Sequence, residues 1–243
     1  MTSNELEVTS GTYGSPHSLF VPSPWMKMKH IAALVRKDFT IDVRQKYAVS
    51  GVLLFAVGSA FIIYRTFPNV NAQTWNILLW IITMYAGINA VAKSFTQEAK
   101  QTYFYYYSLV TPEEVVLSKL IYNTAYLLML VAVILLAFTV FLTNPVEDVV
   151  LFGKGLLLGV LGMSVVLTFV SAVAGTNGEN ATLMSVLALP LMLPSVMLMV
   201  KVTAVAMGLI TDTSVGTDLL MLAAIDLILG SLVLIIFPTL WRS

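Results

Sequence analysis

Six apolar stretches, each close to or beyond the ~18 residues needed to cross a hydrocarbon core of ~30 Å, constrain this chain more than any other feature. They run Tyr47–Tyr64, Trp75–Val91, Val115–Leu142, Val149–Ala174, Leu183–Ile210 and Leu219–Leu240. In lipid only helices and closed barrels satisfy their own backbone groups. These runs do not alternate apolar and polar residues as barrel strands do. The expected fold is therefore all-α, a polytopic membrane protein with six transmembrane helices. Runs three to five exceed a straight crossing, so each must tilt, break or project beyond the bilayer. Composition agrees: 58% hydrophobic and 11% charged residues leave too few charges to coat a soluble domain. A formal net charge of zero gives no reason to expect nucleic acid as a partner. The absence of cysteine excludes disulfides, thiolate chemistry and Cys-based metal sites.

The flanks divide the chain into three parts. Residues 1–25 are rich in Ser, Thr, Gly and Pro and hold Glu5 and Glu7 but no Lys or Arg, so they read as a disordered tail rather than a signal peptide. Translation starting at Met26 or Met28 is a second reading of the same stretch. Residues 26–46 set Ile31, Leu34, Val35, Phe39 and Val43 against Lys29, Arg36, Lys37, Asp38, Asp42, Arg44 and Lys46 at helical spacing. This predicts an amphipathic interfacial helix with its basic side toward anionic lipid heads. Residues 47–243 form the six-helix domain. Lys and Arg cluster before run one, in the 92–114 loop (Lys93, Lys100) and after run six (Arg242), whereas the opposite loops hold only Arg65 and Lys154. The positive-inside rule then puts both termini, the 92–114 loop and the 175–182 loop in the cytoplasm.

No P-loop, His-Glu-x-x-His or Gly-x-Ser-x-Gly sequence is present, and His17 and His30 both precede the first run without metal-site partners. An enzyme is not expected, and no cofactor is expected to be held by this chain. The 92–114 loop is more informative. Phe95, Gln97 and Glu98 lead into Tyr103, Tyr105 and Tyr106, an aromatic density found both in protein-binding hot spots and in interfacial belts. Thr111, Pro112, Glu113 and Glu114 then read as a helix start: an N-cap, a first-turn proline, and acids at the positive dipole end. In run five, Leu189, Pro190 and Pro194 predict a span that kinks or breaks, because each proline removes a helical hydrogen bond. Among intramembrane polar residues, Asn89 and Asn123 lie toward the inner side. Lys201 and Asp226 lie toward the outer side, where Lys201 either pairs with Asp226 or snorkels to the headgroups.

Three stretches resemble the haem exporter protein B (CcmB) family. They are Leu34-Val35-Arg36-Lys37-Asp38-Phe39 leading to Arg44; Phe95 to Glu98 followed by Pro112 to Lys119; and, most specific, Leu187-Ala188-Leu189-Pro190-Leu191-Met192-Leu193-Pro194. The resemblance spans about residues 28–243. Tyr103 to Tyr107 departs from the Gly- and Leu-Glu-containing stretch usual in the family's loop. The resemblance implies the type-two ABC exporter fold, with residues 95–112 as a cytoplasmic coupling helix that contacts a separate ATP-binding subunit. It also implies a homodimer, haem-handling membrane proteins as partners, ATP on the partner subunit, and the bacterial inner membrane as location; haem is either the ligand transported or the cargo of a chaperone that movement of this chain releases. A permease of the same architecture for another apolar substrate, a lipid or a drug, is the alternative.

Overall fold

A computed structural model describes residues 24–44, 46–67, 69–91, 110–176 and 181–240. These form seven helices: α1 (Pro24–Arg44), α2 (Lys46–Thr66), α3 (Ala72–Val91), α4 (Pro112–Phe141), α5 (Val149–Thr176), α6 (Ala181–Ala206) and α7 (Val215–Leu240). The described residues contain no strand. The chain is a polytopic helical membrane protein. Five helices, α3 to α7, are long and apolar enough to cross a bilayer; the described part of α2, Ser50–Thr66, is a shorter apolar helix. Where six spans are expected, five helices are long and apolar enough to cross among the described residues, and α2 adds a shorter apolar stretch.

Side-chain distribution suits lipid on the outside. Leu136, Val140, Leu227 and Ile235 are each at least 66% exposed, while Asn76, Asn123, Ser164, Thr168 and Thr203 are at most 1% exposed. Polar groups face inward, where they can hydrogen-bond between helices, and apolar groups face outward. α4 is 30 residues long, ~45 Å at the helical rise. That exceeds the thickness of the hydrocarbon core.

α5 is the centre of the bundle. Two-thirds of its apolar stretch is buried, against 11% of that of α7. It packs against α3, α4, α6 and α7. Glycines allow its close approach to α6: a Cβ at Gly155 would lie 2.8 Å from Val202 Cγ1, and one at Gly159 would overlap the Met199 side chain. Gly155 and Gly159 form a small-xxx-small contact, in which the missing side chains let backbones come together. Trp75 packs edge-on against Phe138 at 5.4 Å and beside Phe152 at 6.4 Å, joining α3, α4 and α5 at the end remote from α1. A second cluster of Leu34, Val115, Val116, Ala172, Val233 and Phe237 joins α1, α4, α5 and α7 at the α1 end.

The turns remote from α1 are closely capped. Asn71 Oδ1 accepts the Thr74 N–H at 2.7 Å at the start of α3, and Asp148 Oδ1 accepts those of Val150 and Leu151 at the start of α5. α6 ends where Gly208 adopts φ 68°, with Leu209 N–H donating to Ala204 O and Gly208 N–H to Val205 O. This is a Schellman ending, and glycine takes the left-handed conformation without a Cβ clash. The span predicted to run to Ile210 therefore stops at Ala206: Leu209 and Ile210 are apolar but lie beyond the cap.

The packing predicts unequal tolerance among glycines. Gly159→Leu should lower stability by ~1–3 kcal/mol through overpacking against Met199. Gly153→Leu, where a Cβ meets nothing within 4 Å, should leave the thermal midpoint in detergent unchanged. Equal midpoints for the two variants would contradict the α5–α6 contact.

Candidate functional site at the α1–α4 junction

At the start of α4, Thr111 is the N-cap and Pro112 the first helical residue. Glu114 reaches back to accept the Thr111 N–H at 3.3 Å. Glu113 is exposed, whereas Glu114 is buried. The acids sit at the positive end of the helix dipole, as the pattern predicts. Phe95, Gln97, Glu98, Tyr103, Tyr105 and Tyr106 lie outside the described residues.

α1 rests on these first turns. Among its described side chains Leu34 and Asp38 are buried, while Phe39 is 58% exposed. The sequence grouped Asp38 with the solvated charges and Phe39 with the apolar side. Tertiary contact reverses both, because the face toward α4 carries a cation. Lys119 Nζ lies 3.0 Å from Asp38 Oδ2, with side chains only 5% and 7% exposed. Lys37 Nζ lies 3.2 Å from the other Asp38 oxygen and is partly exposed. Further along, His30 Nδ1 lies 3.5 Å from Glu114 Oε2. Two stretches distant in sequence, Leu34–Phe39 and Pro112–Lys119, thus meet through a buried ion pair. Removing one member of such a pair typically costs about 3–5 kcal/mol, because the remaining charge is left buried and unpaired.

Within the bundle two polar knots hold the spans. Asn76 donates to the Val200 carbonyl at 2.9 Å and accepts from the Thr203 hydroxyl at 2.8 Å, while the Trp80 indole N–H donates to Thr203 Oγ1 at 3.0 Å. Asn123 donates to Thr168 at 2.9 Å, and Thr124 to Ser164 at 2.8 Å. The pattern Asn76-x3-Trp80 at helical spacing could have revealed the first knot. Asn89 takes no part in either: it is exposed and donates to the Tyr85 carbonyl of its own helix.

Pro190 and Pro194 do not interrupt their span. α6 is one helix from Ala181 to Ala206 with both prolines inside it. Leu189, Pro190 and Pro194 are exposed, so they face outward while Ala188, Met192 and Ser195 face the bundle. The two lost hydrogen bonds are a turn apart, and the bonds around them carry the helix through.

Lys201 does not pair with Asp226. Its ammonium lies 2.8 Å from Asp212 and 2.7 Å from Asp218, bridging the turn after α6 to the first turn of α7. Asp226 is eight residues beyond Asp218, ~12 Å along the helix, and out of reach. Its carboxylate instead lies over Gly162 of α5, where any Cβ would collide with it. Both its oxygens are inaccessible and have no hydrogen-bond partner among the described residues. Among these residues no group of three or more His, Cys, Asp or Glu could hold a metal ion.

Comparison with known proteins finds one family. The family model described as CcmB protein matches residues 29–240, which include both halves of the junction and the whole of α6. No individual curated protein matches the sequence.

The turn beyond α6 has a defined acid response. The Lys201 hydrogen bond, then the hydroxyl and backbone N–H of Ser214, hold the Asp212 carboxyl well below the usual carboxylate range. A lowered carboxyl contributes stability above its unfolded pKa of about 3.9, and that stability is lost as pH falls through the folded value. Amide protection over 207–214, corrected for intrinsic exchange, should hold from neutral pH to about 4 and fade only below it. Asp212→Asn should weaken it already at neutral pH. Protection fading well above that range would refute the assignment.

Proposed function

From the premise that the chain belongs to the CcmB family, the membrane subunits of the haem-export ABC transporter of cytochrome c maturation, we propose that it couples ATP hydrolysis on a separate subunit to haem handling in the bacterial inner membrane. α2 serves as the sixth span, and both termini face the cytoplasm. The 92–114 loop receives the ATP-binding subunit and passes its movement into the capped start of α4. The chain acts as a homodimer beside haem-handling membrane proteins. Haem is the transported ligand, or else the movement releases the haem-loaded chaperone on the far side.

The family match over 29–240 carries this reading. The junction supports it physically. A stiff helix of ~45 Å begins at the aromatic loop and carries a buried charge within its first two turns. Displacement of the loop would therefore act on a well-anchored lever. The basic distribution of Lys and Arg supports the orientation.

Two measurements test the proposal. The full chain, co-expressed with the ATP-binding subunit of the same transporter, should retain that subunit through detergent purification. Replacing Tyr103, Tyr105 and Tyr106 together by Ala should lower its recovery about tenfold or more, as loss of interface anchors does. A deletion strain should lack c-type cytochromes and regain them with the intact gene. Normal cytochromes in the deletion strain would instead favour export of another apolar substrate, such as a lipid.

A further inference from the structure

We propose that α1 and the first turns of α4 form one rigid unit, and that Asp38 and Lys119 are the positioning residues that make α1 follow α4 through the transport cycle. The inference rests on the permease reading above and adds to it a second moving part, the N-terminal helix.

His30, Leu34 and Asp38 are spaced four apart and so share one stripe of α1. Opposite them on α4 lie Glu114, Val115 and Lys119. Both helices meet these residues in the same order: a polar rung, His30 with Glu114; an apolar rung, Leu34 and Val115 in one buried cluster; and a charged rung, Asp38 with Lys119. Sliding α1 by one turn would set Leu34 against a charge and Asp38 against apolar residues. Only one register satisfies all three rungs.

The first and third rungs differ in charge rather than in burial. His30 carries a charge only when protonated, although its Nδ1 and Glu114 are both inaccessible. Asp38 and Lys119 are nearly inaccessible, so parting them breaks an ion pair in a poorly solvated place. Leu34 is the one buried apolar residue of α1 among those described, with Ile31 and Val35 half-buried. Apolar contact alone sets no register, and the ion pair does. α1 passes almost directly into α2, which itself packs on α4. A displacement entering at Pro112 thus reaches α1 through Lys119 and α2 through α1.

The test uses the complex purified with its ATP-binding partner. Asp38→Lys and Lys119→Asp, made singly, should leave partner recovery and the KM for ATP unchanged. The kcat for ATP turnover and the yield of c-type cytochrome should each fall about tenfold or more, because the loss lies in transmission rather than in nucleotide binding. The double reversal should return both toward wild type, a rescue that loss of folding would not show. Because the chain has no cysteine, Leu34→Cys with Val115→Cys gives a clean tie between the two helices. Closing it should leave the otherwise wild-type complex active and should restore an Asp38→Asn variant. If the tie stops cytochrome maturation, α1 must part from α4 and the proposal fails. It fails equally if both single reversals are fully active, or if the double reversal assembles but stays inactive. Should the reversed chains not reach the membrane, the tied and untied Asp38→Asn complexes decide the matter alone. A wild-type chain that retains no ATP-binding partner would count against the permease reading instead.

Discussion

Lipid offers a backbone nothing to hydrogen-bond with, and the rest of this structure follows from that deficit. Each crossing segment must close its own backbone bonds, so each is a helix. With the surface given over to Leu, Ile and Val, the few polar side chains become the means by which helices recognise one another. Asn76 with Thr203 and Trp80 joins α3 to α6. Asn123 with Thr168 joins α4 to α5. Glycine does the complementary work: Gly155 and Gly159 bring α6 so near α5 that dispersion contacts hold them without a hydrophobic drive.

Charge is treated differently at the two ends. At the α1 end, Asp38 and Lys119 are withdrawn from water and come from distant parts of the chain. Such a pair fixes geometry strongly because breaking it strands a charge. At the opposite end, Lys201 meets Asp212 and Asp218 across a short turn, with its side chain 39% exposed. Solvent screens that contact, and the Gly208 ending, together with the Asp212–Ser214 hydrogen bonds, already shapes the turn. One end is held by a long-range constraint, the other by local structure that reforms readily if opened.

This difference governs what the sequence could reveal. Apolar runs and the Thr111-Pro112-Glu113-Glu114 start are local signals, and the helices and the cap stand where those signals put them. Asp38 could not be read that way. Within one helix it sits among Arg36, Lys37 and Asp42 and looks solvated; only the arrival of α4 decides which face is covered. Hydropathy does not mark the end of α6, because it continues through Leu209 and Ile210, whereas Gly208 stops the helix by conformation. Pro190 and Pro194 signalled two missing hydrogen bonds correctly, but a helix supported above and below tolerates them. The partner of Lys201 lay in a turn that the over-long span had partly absorbed.

Asp226 shows how these constraints combine. A carboxylate eleven residues into α7 cannot reach the rim, where Lys201 already engages the two nearer acids. It can be accommodated between helices only where the facing helix gives way, and Gly162 gives way there. Gly162 continues the face that Gly155 and Gly159 begin, rotated along α5 from α6 toward α7. The run of glycines thus seats one helix after another against the central span. Its last member admits a polar group at mid-depth where a larger residue would expel it. α4, α6 and α7 all bear on the same buried helix, so the seat of Asp226 depends on the packing of every span around α5.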